Sequence, residues 1–291
     1  MIVNSDILFC IFRFLNSDDL IRVSRVCKKW HSISRDELVW KYRDGFDLLF
    51  PSPTWYNYSM YVFQKKLGKK LGLEDTKINL FTVNSIDLSE KNLVSIPPEL
   101  GILTNLIYLY LDGNQLASVP PELGNLVNLT VLHLDKNQLT SVPPELGKLT
   151  GLKIMRLNNN KLTRLPPELG NLVNLECLYL HVNQLTSLPP ELGNLTNLTE
   201  LHLDDNQLTS VPPELGNLSN LVSLNLGFNQ LTSIPPDLGK LTNLILLNLD
   251  FNQLTSIPSE LGNLANLMEL LSRHNQYLII PPELSHLNIV I

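Results

Sequence analysis

Three cysteines in 291 residues, no proline among the first 50 and no long unbroken apolar run are the scarcities that first limit this sequence. Cys10, Cys27 and Cys177 are scattered and odd in number. No pair is placed to staple the ends of the chain as a secreted repeat protein needs, so a reducing, intracellular setting is expected, with cytoplasm and nucleus both open. A membrane helix needs roughly 18 continuous apolar residues, which no segment reaches. The stretch "ILFCIFRFL" is broken by Arg13 and lacks the basic lead and small-residue cleavage site of a signal peptide, so it reads as part of the fold. Basic charge is scarce over most of the chain. Residues 1–80 carry 13 of the 22 Lys/Arg and 9 of the 28 Asp/Glu, a net of +4, which leaves −10 for 81–291. Two differently composed units are expected.

What the second unit has instead is a period. In steps of 23 from Leu88 one phase is filled by Leu111, Leu134, Leu157, Leu180, Leu203, Leu226 and Leu249, then Ser272, giving nine units. Two residues earlier an apolar residue recurs from Ile86 to Leu270, so each unit holds a short strand with one face buried. Three residues after the leucine comes asparagine, from Asn114 to Asn275, a turn residue suited to bond the backbone of the next coil in a stacked ladder. Seventeen of the 19 prolines share one phase, where Pro-Pro-Glu-Leu-Gly predicts a single helical or 3-10 turn with an acid near its start and glycine at its end. The pattern LxxLxLxxNxL over residues 81–291 resembles the leucine-rich repeat family. That resemblance implies an α/β solenoid, a horseshoe with a concave parallel β-sheet.

Selectivity belongs where neighbouring units differ. The column between the two strand leucines runs Asp87, Tyr110, His133, Arg156, Tyr179, His202, Asn225, Asn248 and Leu271. Its Tyr, His and Arg residues recur about 4.8 Å apart and are of the type enriched at interface hot spots. Phe228 and Phe251 occupy a neighbouring column. Tyr110, His133, Arg156, Tyr179, His202, Phe228 and Phe251 are therefore the candidate target-binding residues. The five solvent-facing columns hold ten acids against Lys136, Lys153, Arg156 and Arg273, a balance of −6. A basic protein partner is favoured, and nucleic acid is disfavoured by phosphate repulsion. The plain alternative is that these positions are polar and aromatic for solubility and strand propensity alone. No cofactor, metal or catalytic residue is expected. His133 and His202 lie three coils apart, about 14 Å by the strand spacing, too far for one ion, although His181 and Asp204 are neighbours. Cys177 has no evident base and orienter.

All three tryptophans precede the repeats. Ile7, Leu8, Ile11, Phe12 and Leu15 fall at helical spacing, Asn16 or Ser17 caps a second helix through Val26 and Trp30, and a short third helix surrounds Leu38 and Trp40. Val3 to Trp40 resembles the F-box, with two departures: Asn4 stands where that family has an early proline, and Val39 separates Leu38 from Trp40. The resemblance implies a small three-helix domain at 1–44 that docks on a Skp-family adaptor and, through it, on a cullin ubiquitin ligase. Leu8, Ile11, Leu15, Leu20, Val26, Trp30 and Trp40 would pack across that junction or support it. Residues 45–80, with Trp55, Tyr56, Tyr58, Tyr61 and Phe63 followed by a basic run, are too aromatic for a flexible tether and read as an ordered joint capping the first coil. The function implied is a non-catalytic substrate receptor of an SCF-type ligase. The competing reading is an interaction scaffold, of the kind that binds a small GTPase, with the front helices as a solenoid cap. At the far end, Ile289, Val290 and Ile291 fall near the phase of a tenth strand, a tail that either covers Leu270 and Leu287 or pairs edge to edge with a second molecule.

Overall fold

The structure is a computed structural model that describes residues 67–69, 80, 82–276 and 278–290. The three expected F-box helices at 1–44, with all seven adaptor-binding candidates, and most of the joint at 45–80 lie outside the described residues. The chain divides into two units, residues 1–69 and 70–291, and almost all of the described residues belong to the second.

In that second unit ten parallel strands form one sheet in chain order. They are β1 (Ser85–Asp87), β2 (Tyr108–Tyr110), β3 (Val131–His133), β4 (Ile154–Arg156), β5 (Cys177–Tyr179), β6 (Glu200–His202), β7 (Ser223–Asn225), β8 (Leu246–Asn248), β9 (Glu269–Leu271) and β10 (Ile289–Val290). The unit is a leucine-rich solenoid. Parallel order follows from the period, because each coil leaves its strand, crosses the far side and re-enters in the same direction. The register is equally direct: Leu109 pairs with Leu132, and Leu132 with Met155. In the second coil Leu109, Leu111, Leu116, Val119, Leu123, Leu126 and Leu129 are each no more than 5% exposed. Such a ring is buried only by the coils stacked on either side of it.

The proline phase forms the expected 3-10 turns, from Pro98–Ile102 to Ser259–Asn263, with a shorter one at Pro282–Leu284. The first proline of each pair is extended, as a residue before proline must be, and the second enters the turn where its missing N–H costs nothing. Ser259 replaces the second proline and the turn still forms, so the first proline and the stacking suffice there. Each turn opens with an acid such as Glu122. The glycine that follows does not cap the turn through a left-handed backbone. It allows close stacking: a Cβ on Gly170 would lie 2.3 Å from the carbonyl oxygen of Glu191 in the next coil.

The inner asparagine ladder forms, but it ties each coil to the preceding one. Asn183 Nδ2 donates to Leu157 O and Leu180 O at 3.0 and 2.9 Å, and its Oδ1 accepts from Leu162 N at 3.0 Å. Asparagine, with donor and acceptor on one short arm, satisfies three buried backbone groups at once. A second ladder runs outside it, unanticipated from sequence, in which Asn128, Asn174, Asn197, Asn220, Asn243 and Asn266 each donate to a carbonyl 24 residues earlier.

At the far end Ile289 pairs with Leu270 and Val290 with Leu271, so the tail adds a strand to its own sheet and does not fold over Leu270. The last coil spans 19 residues from Leu270 to Ile289, where the others span 23. Ser272, in place of the strand leucine, is fully buried and its Oγ donates to Val290 O at 3.3 Å. Ile291 lies outside the described residues.

Candidate interaction surface

Strand register brings five of the seven target-binding candidates side by side: Tyr110 pairs with His133, His133 with Arg156, Arg156 with Tyr179 and Tyr179 with His202. The middle residue of each of these strands is buried, so the five candidates, each one position further on, share the solvent face. They touch one another. The Tyr110 and His133 rings meet edge-on at 5.0 Å, the Arg156 guanidinium lies 5.4 Å from the Tyr179 ring centre, and Tyr179 and His202 stand 5.2 Å apart. Tyr179 Oη donates to Glu200 Oε2 at 2.6 Å, and that bond together with burial, the larger cause, pushes its ionisation well above the ordinary range. The phenol is fixed as a neutral donor.

Phe228 and Phe251 form a separate group. Their rings stack at 4.2 Å, and His274, which follows Phe251 by the same 23-residue step, stacks on Phe251 at 4.1 Å. All three sit just before the ladder asparagine, at a position with positive φ in every coil: 52° at Phe228, 53° at Phe251 and 53° even at β-branched Val182. This bend ends the strand and turns the following asparagine inward. It also pushes Phe228 and Phe251 outward, leaving them 48% and 40% exposed.

The charge balance of the face survives pairing, since each ion pair removes one acid and one base. Arg273 grips the buried Asp250 through Nε at 2.9 Å and a second nitrogen at 2.6 Å, and Lys153 meets Glu176 at 2.7 Å. Among the described residues, the bases on the face outside these ion pairs are Lys136 and Arg156. Burial raises the carboxyls of Asp135 and Asp204 and lowers the imidazoles of His133 and His181. Cys177 is a free thiol that burial pushes up, which keeps it protonated and a poor nucleophile. No described helix is long and apolar enough to cross a membrane.

The family model for the leucine-rich repeat region matches residues 86–207, and that for the leucine rich repeat matches 196–254. A leucine-rich repeat protein of Leptospira interrogans is similar at 33% identity and TM-score 0.61, over 78% of this chain and 69% of that one. The chain belongs to the leucine-rich repeat family. The F-box-like model matches residues 5–44, which makes it an F-box-like leucine-rich repeat protein. The ectodomain of the Arabidopsis thaliana receptor kinase GASSHO1/SCHENGEN3, solved in complex with CASPARIAN STRIP INTEGRITY FACTOR 2, is similar at 41% identity and TM-score 0.60. That match covers 68% of this chain and 25% of the ectodomain chain. An internalin of Listeria monocytogenes is similar at 26% identity and TM-score 0.61, over 84% of this chain and 76% of that one. Among curated proteins none matches. F-box-like and leucine-rich repeat segments are interaction modules, and the repeats here supply a broad, chemically varied face.

Proposed function

We propose that this F-box-like leucine-rich repeat protein is a non-catalytic substrate receptor of an SCF-type cullin ubiquitin ligase. Residues 5–44 dock on a Skp-family adaptor, and the sheet face from Tyr110 to His202 captures a protein target. The observation that carries this reading is the joining in one chain of an F-box-like segment to a repeat face whose solvent-facing residues change at almost every coil while the packing positions of the coils stay uniform. Rigid rings at adjacent coils offer contact area at low entropic cost. The acidic balance supports a basic target surface. The similar plant ectodomain, solved in complex with CASPARIAN STRIP INTEGRITY FACTOR 2, supports a binding role for the repeats.

Purified full-length chain mixed with a Skp-family adaptor is expected to elute with it as one complex, and Leu15→Asp combined with Trp30→Ala is expected to abolish that co-elution. A wild-type chain that elutes alone in excess adaptor contradicts the receptor and favours a plain interaction scaffold.

A further inference from the structure

A two-coil block of the repeat face occurs twice. Tyr110, Asp112, His133 and Asp135 are matched 69 residues later by Tyr179, His181, His202 and Asp204. The one change is Asp112 to His181. In each block the three residues after the tyrosine converge, with one donor atom from each of Asp112, His133 and Asp135 within 4.8 Å of the other two, and the same for His181, His202 and Asp204. The backbone explains this. His202 and Asp204 flank the buried Leu203 and leave the sheet on one face, while His181 arrives from the preceding coil, its ring 6.2 Å from that of His202.

A second observation is independent of this convergence. His181 Nδ1 and Asp204 Oδ1 are sealed from solvent and have no hydrogen-bond partner. Asp135 Oδ1 is in the same condition in the earlier block, on a residue only 7% exposed. Buried polar atoms are nearly always paired, because leaving them unpaired is costly. A cation held between the three side chains satisfies the carboxylate and the imidazole together.

We propose that His181, His202 and Asp204 bind a divalent zinc ion, with its fourth coordination position open to the solvent face. Two imidazoles and a carboxylate suit zinc, and three protein ligands with one open position is a common zinc arrangement. Bonds of about 2.1 Å in a tetrahedron place the donor atoms about 3.4 Å apart, so small rotamer shifts close the site. The earlier block serves as an internal contrast. It has two carboxylates and one imidazole, and the Arg156 charge acts on both His133 and Asp135, opposing a cation there. Among the described residues, no lysine or arginine shifts the ionisation of His181 or Asp204. The open position would accept water or a donor side chain of a bound protein. Zinc binding itself needs neither adaptor nor target, so its test is separate from that of the receptor.

Full-length chain stripped with a chelator is titrated with zinc chloride by calorimetry, and with cobalt(II) by visible absorption. One tight zinc per chain is expected, with an intense cobalt spectrum of tetrahedral type. His202→Ala and the isosteric Asp204→Asn should each weaken the zinc step by at least ~100-fold, the upper end of what losing even an outer partner of a metal site costs. His133→Ala and His286→Ala should leave it unchanged. Zinc should raise the melting temperature of the wild type and not that of Asp204→Asn, which also establishes that the variant folds. Wild-type zinc binding no tighter than ~1 mM, or a zinc step that survives in both His202→Ala and Asp204→Asn, overturns the proposal.

Discussion

On the turn side of the solenoid, seven glycines from Gly101 to Gly239 each face a backbone carbonyl of the next coil at a distance that no side chain tolerates, whereas on the strand side the solvent-facing residue changes at almost every coil. The two sides share one period and one backbone path. Uniformity marks where coils collide, and variety marks where they face solvent, so repetition in such a chain records packing and its interruption records the surface available for recognition.

The largest effect tests the wall between the two sides. Asn183→Ala leaves Leu162 N, Leu157 O and Leu180 O without their partner, and each unpaired buried group costs about 1–3 kcal/mol. A total loss of about 3–4 kcal/mol in denaturant unfolding is expected. Asn174→Ala, in the outer ladder, removes one exposed bond to Thr150 O and should cost about 0.5–1 kcal/mol. Equal losses would mean that the two ladders do the same job.

Next in size is the glycine contrast. Gly170→Ala forces backbone apart and should cost about 2–3 kcal/mol, as overpacking does. At Gly262 the nearest atom to an added Cβ is 3.4 Å away, because the next turn is shorter, so Gly262→Ala should stay within about 0.5 kcal/mol. On the strand side, Tyr179→Ala with His202→Ala should cost no more than about 1 kcal/mol in the stability of zinc-free protein while weakening target capture by about 2 kcal/mol or more. Unaltered capture would return the strip to a solubility role.

The smallest effect is in pH. His133 and His181 ionise less readily when folded than their ordinary value near 6.5, so the folded state disfavours their protonation. Stability should therefore fall as pH drops below about 6.5, and His181→Gln should flatten that slope in melting curves at pH 5.5 and 7.5. The raised carboxyls of Asp135 and Asp204 work in the opposite sense, being relieved as they take up protons at lower pH, and this limits the loss.

Much of this could be read directly from the residues, for a physical reason. The leucine columns fix the phase, and phase in a parallel stack fixes register, so the row from Tyr110 to His202 is legible in the sequence. What depends on torsion or contact across coils is not. The left-handed bend is invisible when Val182, Phe228 and Phe251 occupy it, since those residues do not advertise positive φ. The recurring glycine reads as a turn ending until the opposing carbonyl is located. By sequence His181 is a partner for Asp204 alone, because its approach to His202 depends on how two adjacent strands present their side chains. The last coil misleads most plainly: by the period Ile289 aligns with Asn266, yet it pairs with Leu270, four residues further on.

The central claim is that one end of the chain engages an adaptor and the repeat face engages a target. The direct measurement is parallel affinity capture of three full-length proteins from cells, followed by quantification of bound partners. The account predicts that the wild type retains both adaptor and target, that Leu15→Asp with Trp30→Ala loses the adaptor and keeps the target, and that Tyr179→Ala with His202→Ala loses the target and keeps the adaptor. Loss of both partners from either folded variant, or of neither, would contradict it.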